Sequence, residues 1–489
     1  MFNGFISYKA VLIIIVFGRA VQFILALAML RVATTLLSPE EMGKVSLVLT
    51  TIAFFAMFLV NPVGMFINRR LHAWQAQGSA RAFLERYVAY LVGISLLAAG
   101  SLFALNVGGL VNFGMSVGWV VALVCSSLIF NTINQTSIPS LNMLGDIRSF
   151  VVLTVATLAA SFLFAVLLVE FVKTSAQYWI FGLLLGQTLL AVIGTKKLFN
   201  RLSIHAAAPA TSVKIRRRHL QVLFDFAWPV ALAAGLGWLQ LQGYRYIIES
   251  QLGLAQLGLF AAGYSISAGM IAGFESILTT YFQPRLYRDV NGGEPSTQAQ
   301  AWRRYASAVI PSLILTTALI VLLAPEFTRL LLGERFQGAA SFVIWGALAE
   351  AARVLTGVYS LIAHVQMRTR LLIVPTACGA LLSIALCVLL IPSMGASGVG
   401  IALTIAGFIV VLLLHMFLAH RMGGSIPLQM FGRAFIATLA LFIIAFGIRF
   451  FFDKTDMTVV FGVILIIGLV YLGLLYGLLR QHLLEMRQE

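Results

Sequence analysis

A few polar and charged side chains lie deep in apolar surroundings, and their types and spacing suggest chemistry. Arg19 is followed three residues later by Gln22. Asn131 and Asn134 share a helical face, and Trp238, Gln242 and Arg245 recur at i, i+4, i+7. Glu275 stands alone in its segment, and Glu350 and Arg353 are three residues apart. A charge at the centre of a lipid-facing helix costs about 2.5–3.5 kcal/mol on insertion scales. Such groups persist where they line a wet cavity or pair with one another. Arginine presents a planar fork of donors that matches phosphate and carboxylate. The expected chemistry is therefore recognition of an anion at Arg19, Arg245 and Arg353, with Gln22, Asn131, Asn134, Trp238 and Gln242 as polar and aromatic lining. Glu275 and Glu350 are the candidates for ion or proton coupling.

Positioning these groups is a task for membrane helices. Of the 489 residues, 60% are hydrophobic and 10% charged, against about 25% charged in an ordinary soluble domain. A helix needs about 20 apolar residues to cross the hydrocarbon. Fourteen such runs are read, centred near Val21, Phe54, Ala98, Ser126, Ala160, Leu189, Leu236, Ala268, Leu315, Ala352, Leu382, Phe408, Ala440 and Gly468. The run from Val11 past Leu30 has no small-residue cleavage site after it and reads as the first span rather than a leader. Placing both termini in the cytoplasm makes every second loop basic, as the positive-inside rule requires. The net charge of +16 is then chiefly a topology signal rather than a sign of nucleic-acid binding. The longest connection, from about Asn200 to Leu220, contains KIRRRH.

Several classes are excluded. No GxxxxGK[ST] occurs, so no nucleotide is expected. Cys125, Cys378 and Cys387 all fall in apolar runs, without CxxC spacing, which argues against disulfides and against a metal or redox site. There is no nucleophile–base set, and the outside loops have no room for a catalytic domain. The chain is expected not to be an enzyme and to need no cofactor.

The chain repeats itself. Gly43 follows Arg31 by twelve residues, and Gly258 follows Arg245 by thirteen; Arg69 follows Gly43 by 26, and Arg285 follows Gly258 by 27. The expected fold is an all-α integral membrane protein of fourteen transmembrane helices, two pseudo-symmetric six-helix bundles plus two C-terminal helices. Its domains are expected at 1–200 and 221–420, joined by a basic cytoplasmic linker at 201–220, with the two added helices at 421–489. Matching parallel halves suit a transporter that alternates access to a site shared by both. Arg31 with Glu40 and Glu41 reads as a cap on the first outer turn.

Four stretches carry a resemblance: RVATTLLSPEEMGKVSL from Arg31, FAWPVALAAGLGWLQLQGYRYII, LLGERFQGAASFVIWGAL and LIPSMGASGVGIALTIA. In this order, with fourteen spans, the chain resembles bacterial polysaccharide flippases of the Wzx type, in the multidrug/oligosaccharidyl-lipid/polysaccharide (MOP) exporter superfamily. The resemblance implies a MATE-like fold and a bacterial inner-membrane location. The implied activity is transfer of undecaprenyl-diphosphate-linked oligosaccharide repeat units to the outer leaflet for O-antigen or exopolysaccharide synthesis. It also implies a polysaccharide polymerase and chain-length proteins as partners. The diphosphate suits the arginines, and sugar hydroxyls suit Asn, Gln and Ser. The resemblance implies an Asp-Arg pair, present in many relatives, where this chain has Tyr244-Arg245, so Arg245 lacks an adjacent acidic partner. The alternatives are a cation-coupled multidrug exporter and a lipid II flippase. The first is disfavoured because residues 9–31 contain no Asp or Glu. The second resembles this chain less in the LSPEEMG and LIPSMGASG stretches.

Overall fold

The computed structural model describes residues 8–109, 111–204, 217–290, 295–366, 368–418, 428–451 and 457–487. These are helical throughout, with short turns and no strand among the described residues. Fourteen segments are long and apolar enough to cross a membrane. Spans 1–7 are Phe17–Leu36, Pro39–Ala76, Ala80–Val107, Val117–Met143, Ile147–Phe171, Ala176–Leu202 and Gln221–Leu252. Spans 8–14 are Leu254–Val290, Ser296–Leu322, Glu334–Val365, Arg370–Met394, Ala396–Leu418, Phe431–Phe450 and Met457–Arg480. Each contains one of the fourteen expected centres. Linker residues 205–216, with Lys214 and Arg216 of KIRRRH, lie outside the described residues.

The described chain packs as two compact units, Met1–Gly258 and Leu259–Glu489. In the first, the LSPEEMG stretch starts span 2. Ser38 is extended (φ −73°, ψ 162°) and its hydroxyl accepts from the Glu41 N–H at 3.3 Å; Pro39 opens the helix. This is the chemistry of a helix start: an N-cap oxygen satisfies a free N–H, and proline occupies a position whose N–H has no partner anyway. Glu41 also reaches across the unit, accepting from the Ala176 N–H at 2.6 Å at the start of span 6. Lys44 neutralises Glu41 at 2.6 Å and Glu40 at 3.0 Å. The carboxylates expected to cap the first outer turn with Arg31 thus engage Lys44 and the opening of span 6.

Spans 2 and 4 each contain one π-helical turn, Ala56–Val60 and Ser127–Asn131. The first lies just before Asn61–Pro62. Proline has no N–H to donate and its ring crowds the carbonyl four residues back; the widened turn absorbs both. Within the same turn, the Leu59 carbonyl accepts from the Tyr90 hydroxyl at 2.8 Å.

The two glycines paired by the repeat form a reciprocal contact. A Cβ on Gly43 would strike the Leu254 carbonyl, and a Cβ on Gly258 would strike the Pro39 carbonyl. Pro39 and Leu254 open spans 2 and 8, each four residues before its glycine. The contact therefore exchanges equivalent positions of the two copies, and only glycine permits so close a backbone approach.

Span 7, which the repeat assigns to the second copy, packs within the first unit. Its helices Arg217–Gln242 and Tyr244–Leu252 are held to span 2 by the bonds described below. In the second unit, the two added helices are tied down by polar contacts. The Arg449 guanidinium bonds to Glu326 at 2.6 Å and to the Leu322 carbonyl, and the Tyr471 and Thr316 hydroxyls lie 2.8 Å apart. In the LIPSMGASG stretch, Gly395 takes a positive φ of 57° and turns span 11 into span 12.

Candidate functional site

Arg19 lies eleven residues into its helix, which starts at Tyr8, roughly 16 Å along the axis at 1.5 Å per residue. Its side chain is exposed and donates to the Gln22 Oε1 at 3.3 Å. The pair lies on one helix face, three residues apart, as the spacing implies. Arg19 is the third residue of the span Phe17–Leu36, and among the described residues its guanidinium bonds to one neutral amide, which leaves most of its donors for an anion.

The stripe on span 7 is joined by residues of span 2 that the sequence did not single out. The Arg245 guanidinium donates to the Thr50 hydroxyl at 3.1 Å, and the Trp238 indole N–H donates to the Thr50 carbonyl at 3.1 Å. The Tyr246 and Thr51 hydroxyls lie 2.7 Å apart. Arg245 also lies 5.2 Å from the centre of the Tyr244 ring. The aromatic face stabilises the cation through its quadrupole. Trp238 is buried, edge-on to Phe54 at 4.9 Å. Its one donor is used, so it anchors span 7 to span 2. Gln242 is half-buried between Trp238 and Arg245 on the same stripe.

Asn134 and Asn131, although on one stripe, have different surroundings. Asn134 is buried, and its amide donates to Thr157 at 3.3 Å and to the Gln187 carbonyl at 3.2 Å. That binds spans 4, 5 and 6 together, as interhelical amides do in membranes. Asn131 ends the π-helical turn of span 4, and its Oδ1 is buried without a hydrogen-bond partner among the described residues.

The second unit brings Glu275, Glu350 and Arg353 into one network. Arg353 donates through Nε to Glu350 at 2.6 Å and through a terminal nitrogen to Glu275 at 2.8 Å. The Tyr264 hydroxyl donates to the other Glu350 oxygen at 2.7 Å. Two carboxylates on one guanidinium leave a formal charge of −1. Arg353, expected as an anion contact, is therefore a bridge between acids. Glu350 is nearly buried (8% exposed) and fully engaged, whereas Glu275 is 28% exposed. Tyr264 was missed by sequence reasoning, although it lies eleven residues, three helical turns, before Glu275 on the same helix. No cluster of three or more metal-binding side chains occurs among the described residues.

An all-helical chain with fourteen candidate spans among the described residues, and charged groups inside them, has the architecture of an integral membrane protein. Its fold is similar to that of the lipid II flippase MurJ in an inward closed conformation, with TM-score 0.64 and 15% identity over 97% of this chain and 99% of that one. It is also similar to a multidrug resistance MATE family transporter of the MOP superfamily in two states. The inward-facing one gives TM-score 0.61 and 15% identity over 83% of this chain and 94% of that one. The outward-facing one gives 0.56 and 14% over 84% and 93%. At these identities the likeness is one of fold. No curated protein matches the chain in sequence. The sequence model of the polysaccharide biosynthesis protein family matches residues 32–341, and the chain belongs to that family.

Proposed function

We propose that this protein flips undecaprenyl-diphosphate-linked oligosaccharide repeat units from the cytoplasmic to the outer leaflet of a bacterial inner membrane, by alternating access, with both termini in the cytoplasm. One observation carries the reading. A member of a polysaccharide biosynthesis family has a fold similar to that of solved transporters and keeps an exposed guanidinium, Arg19, within its first span. The cargo of such a pathway combines sugar, diphosphate and polyprenyl tail. Arg19 with Gln22 contacts the diphosphate, and Arg245, Gln242 and Asn131 extend the polar lining. The tail stays in lipid while the head group crosses. Trp238 and Asn134 support the helices that carry these groups.

Glu275, the more exposed of the two acids on Arg353, is the coupling group, and Glu350 with Arg353 holds its position. Loading a proton or monovalent cation there changes the charge of the network from −1 to 0. Polymerase and chain-length proteins are the proposed partners downstream.

The test is a strain lacking this chain, with repeat-unit synthesis intact. Lipid-linked oligosaccharide is expected to accumulate facing the cytoplasm. Arg19→Ala should fail to relieve the accumulation, and Arg19→Lys should relieve it in part. Polymer made at normal levels without the protein, and no accumulation, would send the reading to the small-molecule exporters.

A further inference from the structure

A groove of about 520 Å³ opens on the first unit, lined by spans 3, 4 and 6. That volume falls within the range of small-molecule sites, about 300–1,000 Å³. Its polarity runs along the membrane normal. Arg81, in the first turn of span 3, lies at the end where span 6 finishes, beside Lys196 and Asn200. Further into the hydrocarbon come Val192, one turn before Lys196, and then Ile133 and Phe130. Lys196 makes no ion pair among the described residues. Arg81 lies 5.2 Å from the Phe199 ring centre and pairs with Glu85 at 2.9 Å, an exposed bridge. Such bridges are weak, typically under about 1 kcal/mol. Nearby, Asp146 is already engaged by Arg201 at 3.5 Å.

We propose that this groove holds one phospholipid with an anionic head group. The phosphate sits between Arg81 and Lys196, and an acyl chain lies along Phe130, Ile133 and Val192. Charge complementarity selects the occupant. A zwitterionic lipid brings its own cation to a site that already has two, and a soluble anion leaves the apolar floor uncovered. The groove lining includes none of the proposed transport residues, and the lipid site holds whatever the cargo.

The test is native mass spectrometry of the full chain, stripped of lipid in detergent and titrated with phosphatidylglycerol or phosphatidylcholine. One phosphatidylglycerol is expected to bind well before further lipid and to be preferred over phosphatidylcholine. The Arg81→Ala/Lys196→Ala pair should weaken it roughly tenfold or more. Glu85→Ala, which frees Arg81, should strengthen it. Val192→Trp or Ile133→Trp, which fills the floor without touching charge, should also remove it, with melting temperature as the check on folding. Equal retention of both lipids, or retention unchanged in the double alanine variant, overturns the proposal. So does displacement by millimolar inorganic phosphate with no effect of either tryptophan, which would make the site one for a free anion.

Discussion

Glu350 and Glu275 share one arginine, yet their removal should have different effects. Glu350 accepts from both Tyr264 and Arg353 and is nearly buried. Glu350→Ala leaves a hydroxyl and part of a guanidinium without partners, and breaking a buried pair in this way costs about 3–5 kcal/mol. A marked fall in melting temperature in detergent is expected. Glu275→Gln keeps a hydrogen-bond acceptor for Arg353 and is expected to melt close to the parent protein while losing the dependence of transport on an ion gradient. Equal melting losses for the two would remove the distinction. At this scale the sequence shows which groups are costly, because a charge in an apolar run is conspicuous. It does not show who partners whom. Thr50, Thr51, Tyr246 and Tyr264 are ordinary residues of membrane helices, and their importance depends on which helices lie side by side.

Spans are set by lipid, and all fourteen are readable for that reason: every crossing needs about 20 apolar residues, and a basic loop follows every second one. The interruptions within spans are harder to read. Pro62 signals a disturbance, but nothing in the sequence specifies the π-helical turn before it or the Tyr90 hydroxyl that takes the Leu59 carbonyl. The spacing of Gly43 and Gly258 was visible as a repeat, and the structure supplies its physical cause. Gly43→Ala and Gly258→Ala should each destabilise the protein by about 1–3 kcal/mol, the usual cost of overpacking, because the obstacle is a carbonyl rather than a flexible side chain. The two substitutions disturb one contact, so the double variant should lose less than the sum. Strict additivity in thermal melts would mean that the glycines act independently.

For the whole molecule, membership of a polysaccharide biosynthesis family and a fold similar to that of solved transporters constrain the function more than any one residue. The basic loops are the ground for the orientation proposed above. Reporter fusions after Glu489 and within the turn after Val107 should report opposite sides of the membrane, with the C-terminal one cytoplasmic. The packing units were less legible than the spans. The repeat divides the chain after span 6, but span 7 is hooked to span 2 through Thr50 and Thr51. A repeat records how a sequence duplicated, whereas packing follows which polar groups find partners.

The central claim is that a lipid-linked sugar crosses the bilayer through this protein and that Arg19 assists it. The direct measurement uses proteoliposomes loaded with undecaprenyl-diphosphate oligosaccharide, recording the fraction of sugar that an external glycosidase reaches over time. The account predicts that the parent protein exposes the protected leaflet's sugar, Arg19→Lys does so more slowly, and Arg19→Ala matches empty liposomes. Transfer by Arg19→Ala at the parent rate, or none by the parent protein under any ion gradient, would contradict it.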